Sequence, residues 1–249
     1  MKKIISLLLP ISLLITGFFV VTAQHDTTKA STVQTSPPSK AKIFVPNTDW
    51  DWGFMPKGIK VSHVYKIQNL GEDTLRITSV KPACGCTSAP LKKNNLAPGE
   101  ATDLEVSFDA KNMMGKVSKS VTVSSNDPAT PSMVLHFTAN VGIESPTVRF
   151  TPIEVLYDSV QVGKNDTRKI LLFNTDITKV DVSLIDKPRE MVEIDLKKTN
   201  LEPGKSTEMI FRVDKKATPG YFNLCSTLEI SGSDKYRVTI PISGTLVAK

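Results

Sequence analysis

An internal repeat limits what this chain can fold into. When the sequence is shifted by 105 residues, residues 52–115 align with residues 157–220 without a gap, and 13 of the 64 aligned positions are identical. The longest match places LKKNNLAPGEAT (91–102) on LKKTNLEPGKST (196–207). A repeat of about 100 residues is too long for a solenoid unit and has the length of one small domain. The sequence therefore predicts two domains of similar fold.

Apolar residues within each repeat follow the period of β-strands. The residues that alternate in this way include Val61, His63, Tyr65 and Ile67 in the first repeat, and Ile170, Leu172, Val180 and Val182 in the second. Short alternating runs between turns are typical of antiparallel strands that bury one face. We therefore predict an all-β chain with two tandem immunoglobulin-like antiparallel β-sandwiches, at residues 42–143 and 146–249.

Turn-forming residues at matching positions separate the predicted strands. They are Asn69, Gly71, Pro98 and Gly99 in the first repeat, and Asn174, Pro203 and Gly204 in the second. Pro fixes φ, Gly allows positive φ, and the Asn side chain bonds its own backbone, so each residue type favours a turn. We interpret these residues as the signature of the fold.

The N-terminal residues have the pattern of a secretory signal peptide. Lys2 and Lys3 precede an uncharged apolar run, and Ala23 is the small residue expected before a cleavage site. We therefore predict a signal peptide over residues 1–23, with an uncleaved membrane anchor as the alternative. A Pro and a Gly within the apolar run weaken a stable membrane helix, and the Thr-x-Ala-like end of the run favours cleavage.

A polar segment follows the predicted cleavage site. Residues 24–41 are rich in Ser, Thr, Pro and Lys and contain almost nothing to bury, which predicts a flexible tether. No later segment is apolar enough to span a membrane. We therefore expect an exported protein, in the periplasm or outside the cell, with no membrane span after signal cleavage.

Charge and motif content argue against catalysis and nucleic-acid binding. The formal net charge is +6, and removing the two signal-peptide lysines lowers it to +4. The remaining lysines are scattered, whereas nucleic-acid binders usually concentrate basic and aromatic residues on one face. The common hydrolase, phosphate-binding and dinucleotide-binding motifs are missing from the sequence. We therefore expect neither an enzyme nor a nucleic-acid partner.

The Cys-Gly-Cys-Thr segment at residues 84–87 is the sharpest candidate site. Two cysteines separated by one Gly can close a small, strained disulfide, and we expect Gly85 to supply the unusual backbone angles that closure needs. A strained disulfide is easily reduced, which suggests a thiol redox role. Two thiolates could instead hold Cu(I), with Met113 and Met114 as candidate soft ligands.

A structural role for the two cysteines is the third possibility. Arg189 and Met191 stand at the positions of Cys84 and Cys86 in the second repeat, where the other fold signals persist. The fold therefore does not need the cysteines, which indicates a local role that includes simple stapling of a loop. We expect no cofactor, with Cu(I) as the alternative.

Cys225 leaves an odd number of cysteines. It lies on a predicted strand whose residues Phe222, Leu224 and Leu228 share the opposite face, so we predict a half-buried free thiol. An interchain disulfide is the alternative. Among the histidines, the alternation predicts that His63 lies at the edge of the core and that His136 faces solvent.

The cysteine segment and its surroundings carry a family resemblance. The stretch FMPKGIKVSHVYKIQNLGEDTLRITSVKPACGCTSAP, followed by LAPGEATDLEVSFDA, resembles a bacterial family of secreted domains of unknown function (domain of unknown function 1573). That family is similar to immunoglobulin-like sandwich modules of the sperm-protein and cilium-associated type. The resemblance implies a sandwich fold and a secreted habit, and it implies no particular activity.

Two functional hypotheses follow. The first is a non-catalytic exported protein that binds or scaffolds an unknown protein partner at the cell envelope, because sandwiches offer edges and loops for binding. The alternative is a soft-metal, copper-binding or thiol redox protein that uses Cys84 and Cys86. The fold alone does not decide between them.

Overall fold

The computed structural model describes residues 39–164, 166–188 and 191–248. Every regular element among these residues is a β-strand, and no helix there is long and apolar enough to cross a membrane. The described residues lie in one compact unit. The predicted all-β, immunoglobulin-like class is confirmed. The predicted signal peptide and most of the predicted tether lie outside the described residues.

The first half of the described chain contains nine strands in two layers. Their bounds are β1 (Ile43–Phe44), β2 (Asp49–Met55), β3 (Lys60–Asn69), β4 (Leu75–Pro82), β5 (Thr87–Ser88), β6 (Asn95–Leu96), β7 (Ala101–Asp109), β8 (Gly115–Ser125) and β9 (Ser132–Val141). One sheet has the order β1-β3-β7-β5 and is antiparallel. In the other layer β2, β9, β8, β4 and β6 follow one another, and β2 runs parallel to β9.

The second half repeats this arrangement. Its strands are β10 (Val148–Thr151), β11 (Val155–Gln161), β12 (Thr167–Asn174), β13 (Val180–Asp186), β14 (Val192–Leu196), β15 (Asn200–Leu201), β16 (Ser206–Val213), β17 (Gly220–Ser231) and β18 (Lys235–Val247). The outer sheet has the order β10-β12-β16-β14. In the other layer β18, β17, β13 and β15 follow one another, and β11 runs parallel to β18.

Corresponding strands begin at the sequence offset of the repeat. Strands β4, β6, β7 and β8 begin at residues 75, 95, 101 and 115, and strands β13, β15, β16 and β17 each begin 105 residues later. The same turn residues therefore precede the same strands in both halves. The division into two domains remains a prediction, because the halves share a sheet within one compact unit.

Two buried asparagines organise equivalent turns. The Asn69 side-chain amide donates to the carbonyls of Asp73 and Leu96, at 2.8 and 2.9 Å, and its Oδ1 accepts from the Gly71 backbone N–H at 2.9 Å. Asn174 makes the same three kinds of bond, to Thr178, Leu201 and Asp176. Both side chains are fully buried, so their hydrogen bonds satisfy backbone groups that water cannot reach.

The predicted turns at Pro98-Gly99 and Pro203-Gly204 form beside these asparagines. The Gly99 N–H donates to the Asn69 carbonyl at 2.9 Å, and the Gly204 N–H donates to the Asn174 carbonyl at 3.1 Å. Both glycines have positive φ, +78° and +69°, which explains why Gly occupies these positions. The fold-signature residues therefore meet in space as one motif in each half.

The packed part of the chain begins before the predicted boundary at residue 42. The Lys40 backbone N–H donates to Asp73 at 2.8 Å, and its carbonyl accepts from the Glu72 N–H at 3.1 Å. Ala41 is buried in the first core. The end of the segment assigned to the tether is therefore fixed against the turn that follows β3.

Each half has its own hydrophobic cluster. In the first, the fully buried rings of Trp52 and Phe137 meet edge to face with centroids 4.8 Å apart, and Phe108 packs beside them. The second is built around Tyr157 and Phe211. Such aromatic pairs contribute about 0.5–1.5 kcal/mol each beyond their buried area. Two cores explain why apolar residues alternate in both repeats.

Strand β2 joins the two halves. It pairs with β9 of the first half and touches β18 of the second through the Phe54–Val238 bridge, so one ten-stranded sheet runs through both. Gly53, with φ of +64°, lies directly against the Arg237 backbone, and a Cβ there would overlap the Arg237 carbonyl. The close approach of β2 and β18 therefore requires glycine at position 53.

The close contact between β2 and β18 predicts that two glycine substitutions lower the free energy of unfolding by different amounts. Gly58 also has positive φ, +82°, but a Cβ there would meet nothing within 4 Å. We expect Gly58→Ala to lower the free energy of unfolding by about 1–2 kcal/mol, the cost of left-handed backbone strain. We expect Gly53→Ala to cost at least about 1–3 kcal/mol more, because it also overpacks the junction. Urea denaturation of both variants measures the difference, and equal costs would contradict the close contact.

Candidate functional site

The Cys-Gly-Cys-Thr segment forms a tight turn between β4 and β5. Cys84 and Cys86 are joined by a disulfide, with Cα atoms 5.3 Å apart. The Thr87 N–H donates to the Cys84 carbonyl at 3.2 Å and closes the turn. Both cysteines are half-buried and Gly85 is exposed at the apex. The structure therefore shows the disulfide form of the predicted thiol pair.

Backbone hydrogen bonds hold both ends of this turn. The Ala83 N–H donates to the Ser120 carbonyl of β8 at 3.0 Å, and the Asp109 N–H donates to the Cys86 carbonyl at 2.9 Å. The turn is thus fixed to both layers of the first sandwich. The disulfide lies on a rigid support rather than on a long free loop.

The Thr87 hydroxyl lies beside both sulfur atoms. Its Oγ1 is 3.5 Å from Cys84 Sγ and 3.9 Å from Cys86 Sγ. Disulfide sulfurs carry no proton, so the hydroxyl is the donor, and its single proton is directed at one sulfur at a time. Thr87 is buried and is paired opposite Phe108 in β7, which restricts where its side chain can go. Thr87 belongs to the Cys-Gly-Cys-Thr segment, but sequence spacing assigned it no role of its own.

The role predicted for Gly85 is wrong. Its φ lies outside the left-handed region, and a Cβ at this position would meet nothing within 4 Å. The turn closes without a left-handed residue at position 85, and the i-to-i+3 hydrogen bond between Cys84 and Thr87 spans it. A side chain at position 85 would extend into open space.

The second half allows a comparison for the residues on the C-terminal side of this turn. Met191, which corresponds to Cys86, accepts a hydrogen bond from the Asp214 N–H at 2.9 Å, the same distance as the Cys86–Asp109 bond. Val192 corresponds to Thr87 and pairs with Val213 in the same register. The hydrogen bond and the strand pairing on the C-terminal side of the turn therefore form without a cysteine at position 191 and without a hydroxyl at position 192. Arg189 and Glu190 lie outside the described residues.

The candidate soft-metal ligands differ in exposure. Met113 is half-buried against the first core, whereas Met114 is 73% exposed. The Met113 N–H donates to the Ala110 carbonyl at 3.0 Å, in the loop that follows the Asp109–Cys86 bond. No group of three or more His, Cys, Asp or Glu side chains converges as a metal site within the described part of the chain. The Cu(I) hypothesis stays a prediction that requires reduction of the disulfide.

Cys225 is more deeply buried than predicted. It is a free thiol with 5% of its surface exposed, and it donates a hydrogen bond to the Ser62 carbonyl at 3.1 Å. The predicted alternation is present, because Phe222 and Leu228 face the second core while Cys225 faces the first. The prediction that Cys225 is half-buried was wrong because the first half of the chain covers that face of β17.

An aromatic and charged cluster surrounds the junction near Cys225. The rings of Trp50 and His63 stack with centroids 3.7 Å apart, and His63 Nδ1 lies 2.8 Å from the Asp186 carboxylate. The Arg237 guanidinium carbon lies 4.9 Å from the Trp50 ring centroid. His63 is half-buried at the edge of the core, as predicted, and His136 is exposed. Sequence spacing could not reveal this cluster, since its members come from four strands.

Cysteine, histidine and aspartate line one pocket at this junction. The pocket has a volume of about 340 Å³ and includes His63, Asp186 and Cys225. A cysteine nucleophile acts as the thiolate. Burial raises the pKa of the Cys225 thiol to about 12, so this thiol is protonated at neutral pH. The geometry therefore does not activate Cys225.

The outward face of β12 carries exposed apolar side chains. Leu171 and Phe173 are 40% and 39% exposed, and they alternate with the buried Ile170 and Leu172. Arg149 stands opposite Phe173 in β10. Exposed apolar residues grouped on one sheet face often mark a contact surface. This feature was not singled out in the sequence, because helical or strand periodicity identifies only the buried face.

The layered antiparallel sheets and the disulfide turn define an immunoglobulin-like β-sandwich protein with a Cys-Gly-Cys-Thr turn. Residues 43–141 match the model of the family described as a protein of unknown function, DUF1573. This match confirms the resemblance predicted from the cysteine segment. No curated protein matches the chain.

Several solved structures are similar to this chain at low identity. A protein of unknown function from Porphyromonas gingivalis W83 is 13% identical, covering 81% of this chain and 99% of that chain, with a TM-score of 0.32. The periplasmic chaperone SfaE is 13% identical over 83% and 100%, with a TM-score of 0.32. A PapD-like domain of human CEP192 is 13% identical over 54% and 100%, also at 0.32. At these TM-scores none of them adds to the functional argument.

The disulfide is expected to contribute little to global stability. Bridging Cys84 and Cys86 closes a loop of three residues, for which the chain-entropy model gives about 1.5 kcal/mol. We therefore expect the double substitution Cys84→Ser and Cys86→Ser to lower the free energy of unfolding by no more than about 2 kcal/mol in urea denaturation. Failure of this variant to fold would show that the disulfide is a structural staple.

Thiol accessibility gives a second prediction. In the native protein, without reductant, we expect iodoacetamide to leave all three cysteines unlabelled, because two are bonded and Cys225 is buried as a neutral thiol. In denaturant one label is expected, at Cys225. Mass spectrometry measures both states. Rapid native labelling of Cys225, or three labels without reductant, would contradict this structure.

Proposed function

We propose that this chain is a non-catalytic, exported protein-binding module of the cell envelope, and that the outward face of β12 contacts the partner. The observation that carries the proposal is the exposed pair Leu171 and Phe173 at the centre of a sheet face. Only about 40% of each side chain is exposed, so burying the rest against a partner is favourable by about 0.6–1.2 kcal/mol each. The signal-peptide pattern of residues 1–23 supports export.

The first half provides an internal comparison for this face. Lys66 and Gln68 of β3 occupy the positions that correspond to Leu171 and Phe173, 105 residues earlier. Both outer sheets pair this strand with its neighbour in matching register. The fold therefore accepts polar residues at these positions, and the apolar pair in the second half is not required for packing.

Charged and apolar residues surround the pair. Glu208 stands opposite Leu171 and bonds the Lys169 ammonium at 3.1 Å, so a polar rim borders the apolar centre. Arg149, opposite Phe173, also lines a groove of about 330 Å³ whose lining includes Ile143 and Ile153, which are 44% and 59% exposed. An apolar centre with a polar rim is the usual anatomy of a protein-protein interface.

The test replaces the apolar pair on β12 with the polar residues that stand at the corresponding positions of the first half. The mature chain is immobilised, bacterial envelope extract is applied, and captured proteins are quantified by mass spectrometry. We expect the double substitution Leu171→Lys and Phe173→Gln to lower capture of the specific partner at least tenfold, while the free energy of unfolding changes by less than about 1 kcal/mol. These are the residues that the first half already carries.

Two control variants make the result specific. Val134→Lys removes a residue of similar exposure, 38%, from the first half and should leave capture unchanged. The Cys84→Ser and Cys86→Ser variant should also retain capture. If the face exchange leaves capture intact, the β12 face is not the binding surface. If only the cysteine variant loses capture while its fold persists, the binding hypothesis is wrong.

A further inference from the structure

We propose that the Cys84–Cys86 disulfide is an exchangeable redox site that oxidises a protein dithiol, and that the Thr87 hydroxyl stabilises the thiolate released during exchange. The proposal concerns the first half of the chain and is independent of the β12 face. It rests on the exposure of the disulfide, on the small size of its loop and on the position of Thr87.

The disulfide is accessible to an incoming thiolate. Both cysteines are half-buried rather than enclosed, and Gly85 between them is exposed. A Cβ built on Gly85 would meet nothing within 4 Å, so the apex of the turn is open. Thiol–disulfide exchange requires that an attacking sulfur reaches one sulfur of the bond. The turn offers that access on a backbone held by the Ala83 and Asp109 hydrogen bonds.

A staple role explains this disulfide poorly. The bond spans only two residues of sequence, so it restricts the unfolded chain very little. In the second half the hydrogen bond at Met191 and the strand pairing at Val192 form without a disulfide. A bond that the fold does not need, at an accessible turn, is best accounted for by its chemistry.

The Thr87 hydroxyl can stabilise a thiolate in the reduced form of the cysteine pair. Its buried hydroxyl lies 3.5 Å from Cys84 Sγ and 3.9 Å from Cys86 Sγ, so it can donate to the thiolate that forms at either position. A hydrogen bond to the charged form lowers the pKa of a thiol and makes it a better leaving group. A disulfide whose reduced form is stabilised is a stronger oxidant.

The exchange proceeds in two balanced steps. A partner thiolate attacks Cys84 Sγ, since Cys86 packs against the first core, the S–S bond breaks, and the electron pair leaves on Cys86 Sγ, 3.9 Å from the Thr87 hydroxyl. A second partner thiolate then attacks the partner sulfur of this mixed disulfide and releases Cys84 as a thiolate. The partner loses two electrons and becomes a disulfide, and Cys84 and Cys86 become thiols by taking up two protons.

The remaining cysteine does not compete in this chemistry. Cys225 is buried in the first core with its proton bonded to the Ser62 carbonyl. It is not available to attack the Cys84–Cys86 bond within the folded chain. The second thiol of the exchange must therefore come from the partner, which is why the proposal specifies a dithiol.

The test uses the full mature chain with dithiothreitol as the dithiol probe. Equilibration in mixtures of reduced and oxidised dithiothreitol, followed by acid quenching and thiol labelling, gives the equilibrium constant for reduction of the pair. We expect Thr87→Val to make reduction about tenfold less favourable, which corresponds to a reduction potential about 30 mV more negative. The rate of reduction should fall in the same variant.

Thr87→Ser is the matched control, since it keeps the hydroxyl, and its equilibrium constant should stay within about twofold of the unaltered chain. The valine variant is expected to fold, because Val192 occupies the same position in the second half. If Thr87→Val and the unaltered chain have the same equilibrium constant and rate, the role of Thr87 is wrong. If dithiothreitol reduces the pair only after the chain is unfolded, the Cys84–Cys86 disulfide is not an exchange site in the native protein and the proposal is wrong. Neither outcome affects capture by the β12 face.

Discussion

The close approach of β2 to β18 is the contact on which the rest of the structure depends. Gly53 permits it, because any larger residue would overlap the Arg237 backbone. The contact joins one layer of each half into a single ten-stranded sheet, and it places Trp50 where His63 and Arg237 can cover its ring. It also buries the face of β17 that carries Cys225.

The two halves share a backbone frame and differ in what they display. Both form the buried asparagine turn and the same strand order, which the repeated Asn, Pro and Gly residues explain. The first half carries a disulfide at the turn before β5, and the outer face of β12 in the second half carries Leu171 and Phe173 where β3 carries Lys66 and Gln68. Because each half forms without the other's feature, both features are best explained by function rather than by packing.

The sequence predicted the fold class well, because the alternation around Tyr65 and Ile170 and the Asn69 and Asn174 turns are local signals. It predicted the candidate site less completely. The pairing of Cys84 with Cys86 was one of its alternatives, but the importance of Thr87 depends on a side-chain direction that no spacing encodes. The burial of Cys225 and the Trp50–His63 stack depend on contacts between halves, which a pattern within one strand does not reveal.

The measurement that tests the junction most directly is hydrogen exchange across a urea titration, read by mass spectrometry for the two outer sheets separately. Peptides from residues 60–109 report on the first half, and peptides from residues 167–213 report on the second. If β2 unites the halves, both sets of amides lose protection at the same urea concentration. Separate transitions, with one half fully protected while the other exchanges, would contradict a single cooperative unit.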